Sequence, residues 1–170
     1  MFYICAIHDD KRGGRFPQLY TDDPQALDKF AQEWDRPGVS VYECVSSLRP
    51  GTQRRCRDTV AEMSVLHVDI DVRMLTTPAD TVKRTLLELS AALPFEIRDS
   101  GGGFHVLVNL KEPVEAGTPE FDRANAVRKA LTQMLCGDPA PDHPAALLRP
   151  ELVQKRLSTP AEIARPRTPR

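Results

Sequence analysis

The stretch that most constrains this chain is Val65-Leu66-His67-Val68-Asp69-Ile70-Asp71-Val72. From Leu66 onward, apolar and polar residues alternate strictly, which is the period of a β-strand. Leu66, Val68, Ile70 and Val72 point to a core face, and His67, Asp69 and Asp71 to the opposite, open one. Residues two apart on a strand face lie roughly 6.5–7 Å apart at Cα. Two carboxylates at that spacing repel, and one pKa rises unless a cation neutralises them. A divalent ion suits the pair, because Mg²⁺ takes carboxylate oxygens at about 2.0–2.1 Å and leaves positions for water and phosphate. The plain alternative is the polar face of an antiparallel strand.

A chain of 170 residues is expected to form one domain with a real core. Its net charge of −1 gives no global attraction to nucleic acid, so any such binding must come from local clusters. Cys5, Cys44, Cys56 and Cys136 form no C-x-x-C pair, so zinc-ligand spacing is absent. They are expected to be reduced cytosolic thiols. Neither a signal pattern nor an apolar run of about 18 residues occurs, which predicts a cytoplasmic protein without a membrane partner.

Phe2–Ile7 reads as a buried strand, broken by a turn at 9–14. Asp23-Pro24 opens a helix as N-cap and first helical residue, with Leu27, Phe30, Ala31 and Trp34 as its buried stripe. Val39–Val45 alternates as a second strand. Thr77-Pro78 starts another helix in the same manner, with Val82, Leu86, Leu89 and Leu93 inward and Pro94 as its stop. Phe95–Arg98 and Phe104–Leu110 are extended on either side of a glycine run. Phe104, Val106, Val108 and Leu110 take the core, leaving His105 on the open face. Thr118-Pro119 caps a long helix whose predicted stripe is Phe121, Ala124, Val127, Leu131 and Met134 or Leu135. The domain is placed at 1–150, and the Pro/Arg-rich tail 151–170 is expected to be loosely ordered.

Several residues carry possible chemistry. Ser100, Gly101, Gly102 and Gly103 make either a tight turn or a loop whose amides meet a phosphate unobstructed. His105, two residues on, suits a phosphate oxygen as donor. Arg54, Arg55 and Arg57 follow a Pro-Gly turn and suit phosphates of a nucleic acid, or are simply solvated. Asp138 is a turn former or a third carboxylate, and Arg149 a surface residue or a phosphate clamp.

As an ordered set, these residues resemble the archaeo-eukaryotic primase superfamily, and most closely the primase-polymerase domains of plasmids and phages. The likeness spans roughly 40–149 and lies in Val68-Asp69-Ile70-Asp71, in Ser100 through Gly103 to His105, and in Gly137-Asp138 followed by Leu147-Leu148-Arg149. It implies an α+β fold, an RRM-like antiparallel sheet with flanking helices beside a second small α/β unit. It implies Mg²⁺ or Mn²⁺ at Asp69, Asp71 and Asp138. It further implies the triphosphate of a nucleotide at Ser100, the glycine amides, His105 and Arg149. The implied partners are a DNA template or primer and nucleoside triphosphates, with a helicase supplied by a separate chain. The activity is template-directed nucleotide addition to a 3′-hydroxyl. The strict family form places Ser where Gly103 stands, and the chain contains no zinc-stem cysteines. Clustered carboxylates with a His also serve a metal-dependent nuclease or phosphodiesterase. A nucleotide- or nucleic-acid-binding remnant without catalysis is the non-enzymatic alternative.

Overall fold

The acidic stretch belongs to a longer strand than its alternation predicts. In the computed structural model, which describes residues 1–8, 16–139, 143–150 and the backbone of 155–156, it is the end of a strand spanning Val60–Asp71. The elements run β1 (Phe2–His8), β2 (Gln18–Thr21), α1 (Pro24–Trp34), β3 (Val39–Cys44), β4 (Ser47–Leu48), β5 (Val60–Asp71), α2 (Ala79–Ser90), β6 (Glu96–Asp99), β7 (Gly103–Glu115), α3 (Pro119–Met134), β8 (Leu147–Leu148) and β9 (Lys155–Arg156). They make two antiparallel sheets, ordered β2-β1-β3-β8 and β4-β5-β7-β6-β9. The expected α+β architecture is what the chain adopts. The turn read at 9–14 lies outside the described residues, as does most of the tail. Within that tail, the backbone of Lys155–Arg156 pairs with β6.

The β5–β7 ladder is the spine of the second sheet. Its register slips between Met63 and Val65, where β7 carries Leu110–Pro113. Pro113 has no N–H to give the ladder, so pairing yields there. Beyond the slip, Val68 and Ile70 face Val106 and Phe104 across the strands, and all four are buried with Leu86 of α2 and Ile97 of β6. Ile70 is fully buried, a placement worth about 1.5–3 kcal/mol for a side chain of that size. Leu66 instead joins Tyr3, Cys5, Leu48 and Phe121 in a core that ties the two sheets together. Helix α1 covers the other face of the first sheet through Ala31, Leu27, Phe30 and Trp34 against Ile4, Ala6 and Val41.

Two caps form as the sequence predicts: Asp23 accepts from the Gln25 amide at 2.9 Å, and Thr118 Oγ1 from that of Phe121 at 3.2 Å. The third does not. Helix α2 begins at Ala79 behind Pro78, with no side-chain cap from Thr77. It ends at Ser90, so Leu93 falls outside it, and Leu89 and Leu93 are exposed. The stripe of α3 is also rotated from its expected position. Phe121, Asn125, Arg128 and Thr132 are buried, whereas Val127 and Met134 stand in solvent. Hydrogen bonding compensates for burial of these polar groups. Arg128, fully buried, donates to Asn125 Oδ1 from Nε at 3.2 Å and from a terminal nitrogen at 2.8 Å, and Thr132 Oγ1 donates to the Arg128 carbonyl. Among the described residues, no helix is long and apolar enough to cross a membrane.

Candidate active site

The β5–β7 register sets Asp69 directly across from His105, and Asp71 across from Gly103. His105 Nε2 lies 3.5 Å from Asp69 Oδ1. Gly103 is a packing glycine: a Cβ there would stand 1.8 Å from the Ile70 carbonyl oxygen, so a side chain would force the strands apart beside Asp71. The face expected to be open is roofed. His67 is 2% exposed and His105 4%, and Ser40 and Tyr42 of the first sheet, with Arg149 just past β8, border the cleft that also holds Asp69 and His105.

Asp138 reaches the backbone of Asp69 through the segment that follows α3. Cys136 takes a left-handed φ of 52°, the Gly137 amide donates back to the Thr132 carbonyl at 2.8 Å, and the Asp138 amide donates to the Asp69 carbonyl at 2.6 Å. Gly137 permits the approach, since a Cβ would meet Val68 Cγ1 at 2.4 Å and the Asp69 oxygen at 3.1 Å. The electrostatic result falls on Asp69. Burial, then the charges of Asp138 and Asp71, push its carboxyl up from 3.8 to about 6. Asp71 goes the other way. Arg73, in a 3₁₀ turn at Val72–Met74, donates from Nε to Oδ1 at 2.9 Å, from a terminal nitrogen to Oδ2 at 2.6 Å and from its amide to Oδ1 at 2.9 Å. This pair holds Asp71 below the usual carboxylate range.

A cleft of about 430 Å³ gathers Asp69, Asp71, Ser100, Gly101, Gly102, His105 and Arg149 from three separate chain segments. Arg149 follows β8, which is held on β3 by the Glu43–Leu148 and Cys44–Leu147 pairs. It donates to Ser40 Oγ at 3.3 Å and lies over the Tyr42 ring at 5.7 Å. The Ser100–Gly102 loop is partly occupied by its own bonds. The Ser100 amide donates to the Gly103 carbonyl at 3.0 Å and that of Gly101, at φ 82°, to Asp99 Oδ1 at 2.8 Å. A second cavity of about 390 Å³ shares His105 and Arg149 with the cleft and is bordered by Arg98 and Asn109.

Gly103 and Asp138 do not line the cleft, although Asp138 acts on Asp69 through its charge. Arg54, Arg55 and Arg57 lie apart from it. Arg55 donates to the Ala145 carbonyl and sits 6.0 Å from the Tyr3 ring, whereas Arg54 and Arg57 are exposed. Sequence reasoning missed Arg73, Ser40 and Tyr42. Arg73 had a local signal, an Asp with a basic residue two positions on at a strand end. Ser40 and Tyr42 had none.

Among the described residues, no three Asp, Glu, His or Cys side chains converge as a metal-ligand cluster. The donor set nevertheless fits Mg²⁺ or Mn²⁺ in its chemistry. Its oxygens are hard carboxylate donors, and Asp138 and Asp71 lie near enough to Asp69 for their charges to add to burial in raising its proton affinity.

No family model and no curated protein matches the sequence. Among solved structures, the AEP domain of the primase-polymerase of cyanophage S-2L superposes with a TM-score of 0.56 at 14% identity, over 87% of this chain and 71% of that one. The chain has the fold of an archaeo-eukaryotic primase domain. The primase RepB′ also aligns, with a TM-score of 0.45 and 14% identity, over 87% of this chain and 43% of that one. At 14% identity the likeness shows the fold alone.

Proposed function

We propose that this chain is a template-directed nucleotidyltransferase of the DNA primase-polymerase type. One observation carries the proposal: a single cleft in a primase-polymerase fold joins the Asp69/Asp71 pair to the Ser100–Gly102 loop, His105 and Arg149. Carboxylates alone would suit many metal enzymes. Phosphate-binding groups beside them suit a substrate that brings its own polyphosphate.

The reaction is attack of a 3′-hydroxyl on the α-phosphate of a nucleoside triphosphate, with pyrophosphate leaving. Asp69 and Asp71, with Asp138 adjacent, would hold Mg²⁺ or Mn²⁺, which when bound neutralises the polyphosphate and makes the hydroxyl a better nucleophile. His105 is fixed by burial and donates to a phosphate oxygen. Arg149, braced on Ser40 and Tyr42, presents a planar fork that matches phosphate geometry. The Ser100–Gly102 loop leaves the cleft floor without a bulky side chain. The cavity beyond His105 and Arg149 gives room for the strand that brings the hydroxyl, and exposed Arg54 and Arg57 are available to a nucleic-acid backbone.

The test is extension of a primer on a DNA template with Mn²⁺ and nucleoside triphosphates. Extension that Asp69→Asn abolishes supports the proposal. Degradation of the primer would favour the nuclease, which needs no triphosphate site. Triphosphate binding without either reaction would mark a binding remnant.

A further inference from the structure

Arg73 stands where the acidic pair needs a cation, yet its side chain is 79% exposed. The geometry points to Arg73 as a displaceable counter-ion, which neutralises Asp71 while no divalent ion is bound and turns to the triphosphate when an ion takes the Asp71 oxygens. This rests on the nucleotidyltransferase proposal for the ion and the triphosphate. Three observations carry it.

The first is competition for the same atoms. The guanidinium donates to both Asp71 oxygens, at 2.9 and 2.6 Å, so an ion and the full fork cannot share them. The Arg73 amide bond to Oδ1 can persist, because a carboxylate oxygen has more than one acceptor site. Asp71 would therefore keep its orientation when the guanidinium leaves.

The second is that release is easy. An exposed ion pair is weakly held, since water solvates both partners and two long side chains must be ordered to make it. A divalent ion drawing on Asp69 as well has more to gain at the same place. Asp69 also feels the Arg73 charge, so one guanidinium serves a pair of carboxylates with Asp138 beside them.

The third is the destination. Arg73 borders the same cleft as Ser100, Gly101, Gly102 and Arg149. Once displaced, it adds a second guanidinium to Arg149 on the path of a polyphosphate. Before that event the cleft is balanced by its own arginine and attracts an anion weakly. Ion and nucleotide therefore bind with positive coupling, each favouring the state in which Arg73 has left Asp71.

Calorimetric titrations of the full chain test this, using Mn²⁺ alone and then a non-hydrolysable nucleoside triphosphate at saturating Mn²⁺. Arg73→Met is expected to bind Mn²⁺ alone about two- to fivefold tighter than wild type, because a weak competitor is gone. The same variant is expected to bind the triphosphate about tenfold more weakly, because a charged hydrogen bond to phosphate is lost. Arg73→Lys, a point charge without the fork, falls between them in both titrations. Unchanged or weaker Mn²⁺ binding in Arg73→Met overturns the counter-ion role, and unchanged triphosphate binding overturns the transfer. If wild type binds neither Mn²⁺ nor triphosphate, the nucleotidyltransferase proposal itself fails. If wild type binds both and Arg73→Met matches it, the role of Arg73 alone fails. Thermal melts in EDTA show that each variant is folded.

Discussion

Asp69→Asn should stabilise the metal-free protein while destroying its capacity for an ion. The Asp69 carboxyl titrates near 6 in the folded chain, against 3.8 ordinarily. A folded pKa above the unfolded one means that the folded state holds the proton more tightly. Stability from this group is therefore full below about pH 4 and lost as pH rises through 6. Taken whole, that displacement costs the ionised folded state about 3 kcal/mol at pH 7. The side chain is 27% exposed, so solvent screening reduces the figure to about 1–2 kcal/mol. Asparagine has nearly the same shape and carries no charge. The bond from the Asp138 amide goes to the Asp69 backbone carbonyl and survives the change. Calorimetric melts in EDTA near pH 7 should then show the variant melting about 2–6 °C higher, and near pH 4 the two proteins should coincide. Saturating Mn²⁺ should reverse the order at pH 7, raising wild type alone. A variant that melts lower at pH 7, or gains equally at both pH values, would refute the claim that burial and neighbouring carboxylates destabilise ionised Asp69.

Gly103→Ala should cost about 3 kcal/mol in urea unfolding, since its Cβ would meet backbone 1.8 Å away and the strands cannot yield cheaply. His105→Gln, which keeps most of the buried volume, should weaken triphosphate binding about tenfold or more with a smaller effect on Mn²⁺ affinity, as titration with each ligand would show. Arg55→Met should lower stability by about 1 kcal/mol, through its bond to the Ala145 carbonyl, without changing the salt dependence of DNA binding. Arg54→Gln and Arg57→Gln should leave the melt alone and each reduce that salt slope by about 0.9.

Much of this molecule is decided locally and was legible in the chain. Alternation over Leu66–Val72 sets which β5 side chains share a face, and pairing to β7 preserves that division. Asp23-Pro24 and Thr118-Pro119 start their helices because an oxygen acceptor followed by proline satisfies the first turn without help from elsewhere. The glycine run forms a hairpin, and Asp69, Asp71, Ser100, His105 and Arg149, chosen on residue type and order, share a cleft. What lies across a face is not a local property. The alternation that sends His105 away from one core cannot say that Ser40 and Tyr42 of the first sheet will share a cleft with it. Apolar periodicity marks Val127 and Met134 as inward, yet α3 buries Arg128 and Asn125, because two polar groups that satisfy each other can occupy a core face as well as apolar ones can. Nor does spacing in the chain bring Asp138 to Asp69. That takes the left-handed Cys136 and a residue at 137 with no side chain to strike Val68. Sequence fixes the charges and the faces they occupy. Only the fold sets how deeply a carboxylate is buried and how near charges from other segments come, and burial first, then Asp138 and Asp71, push Asp69 up to about 6.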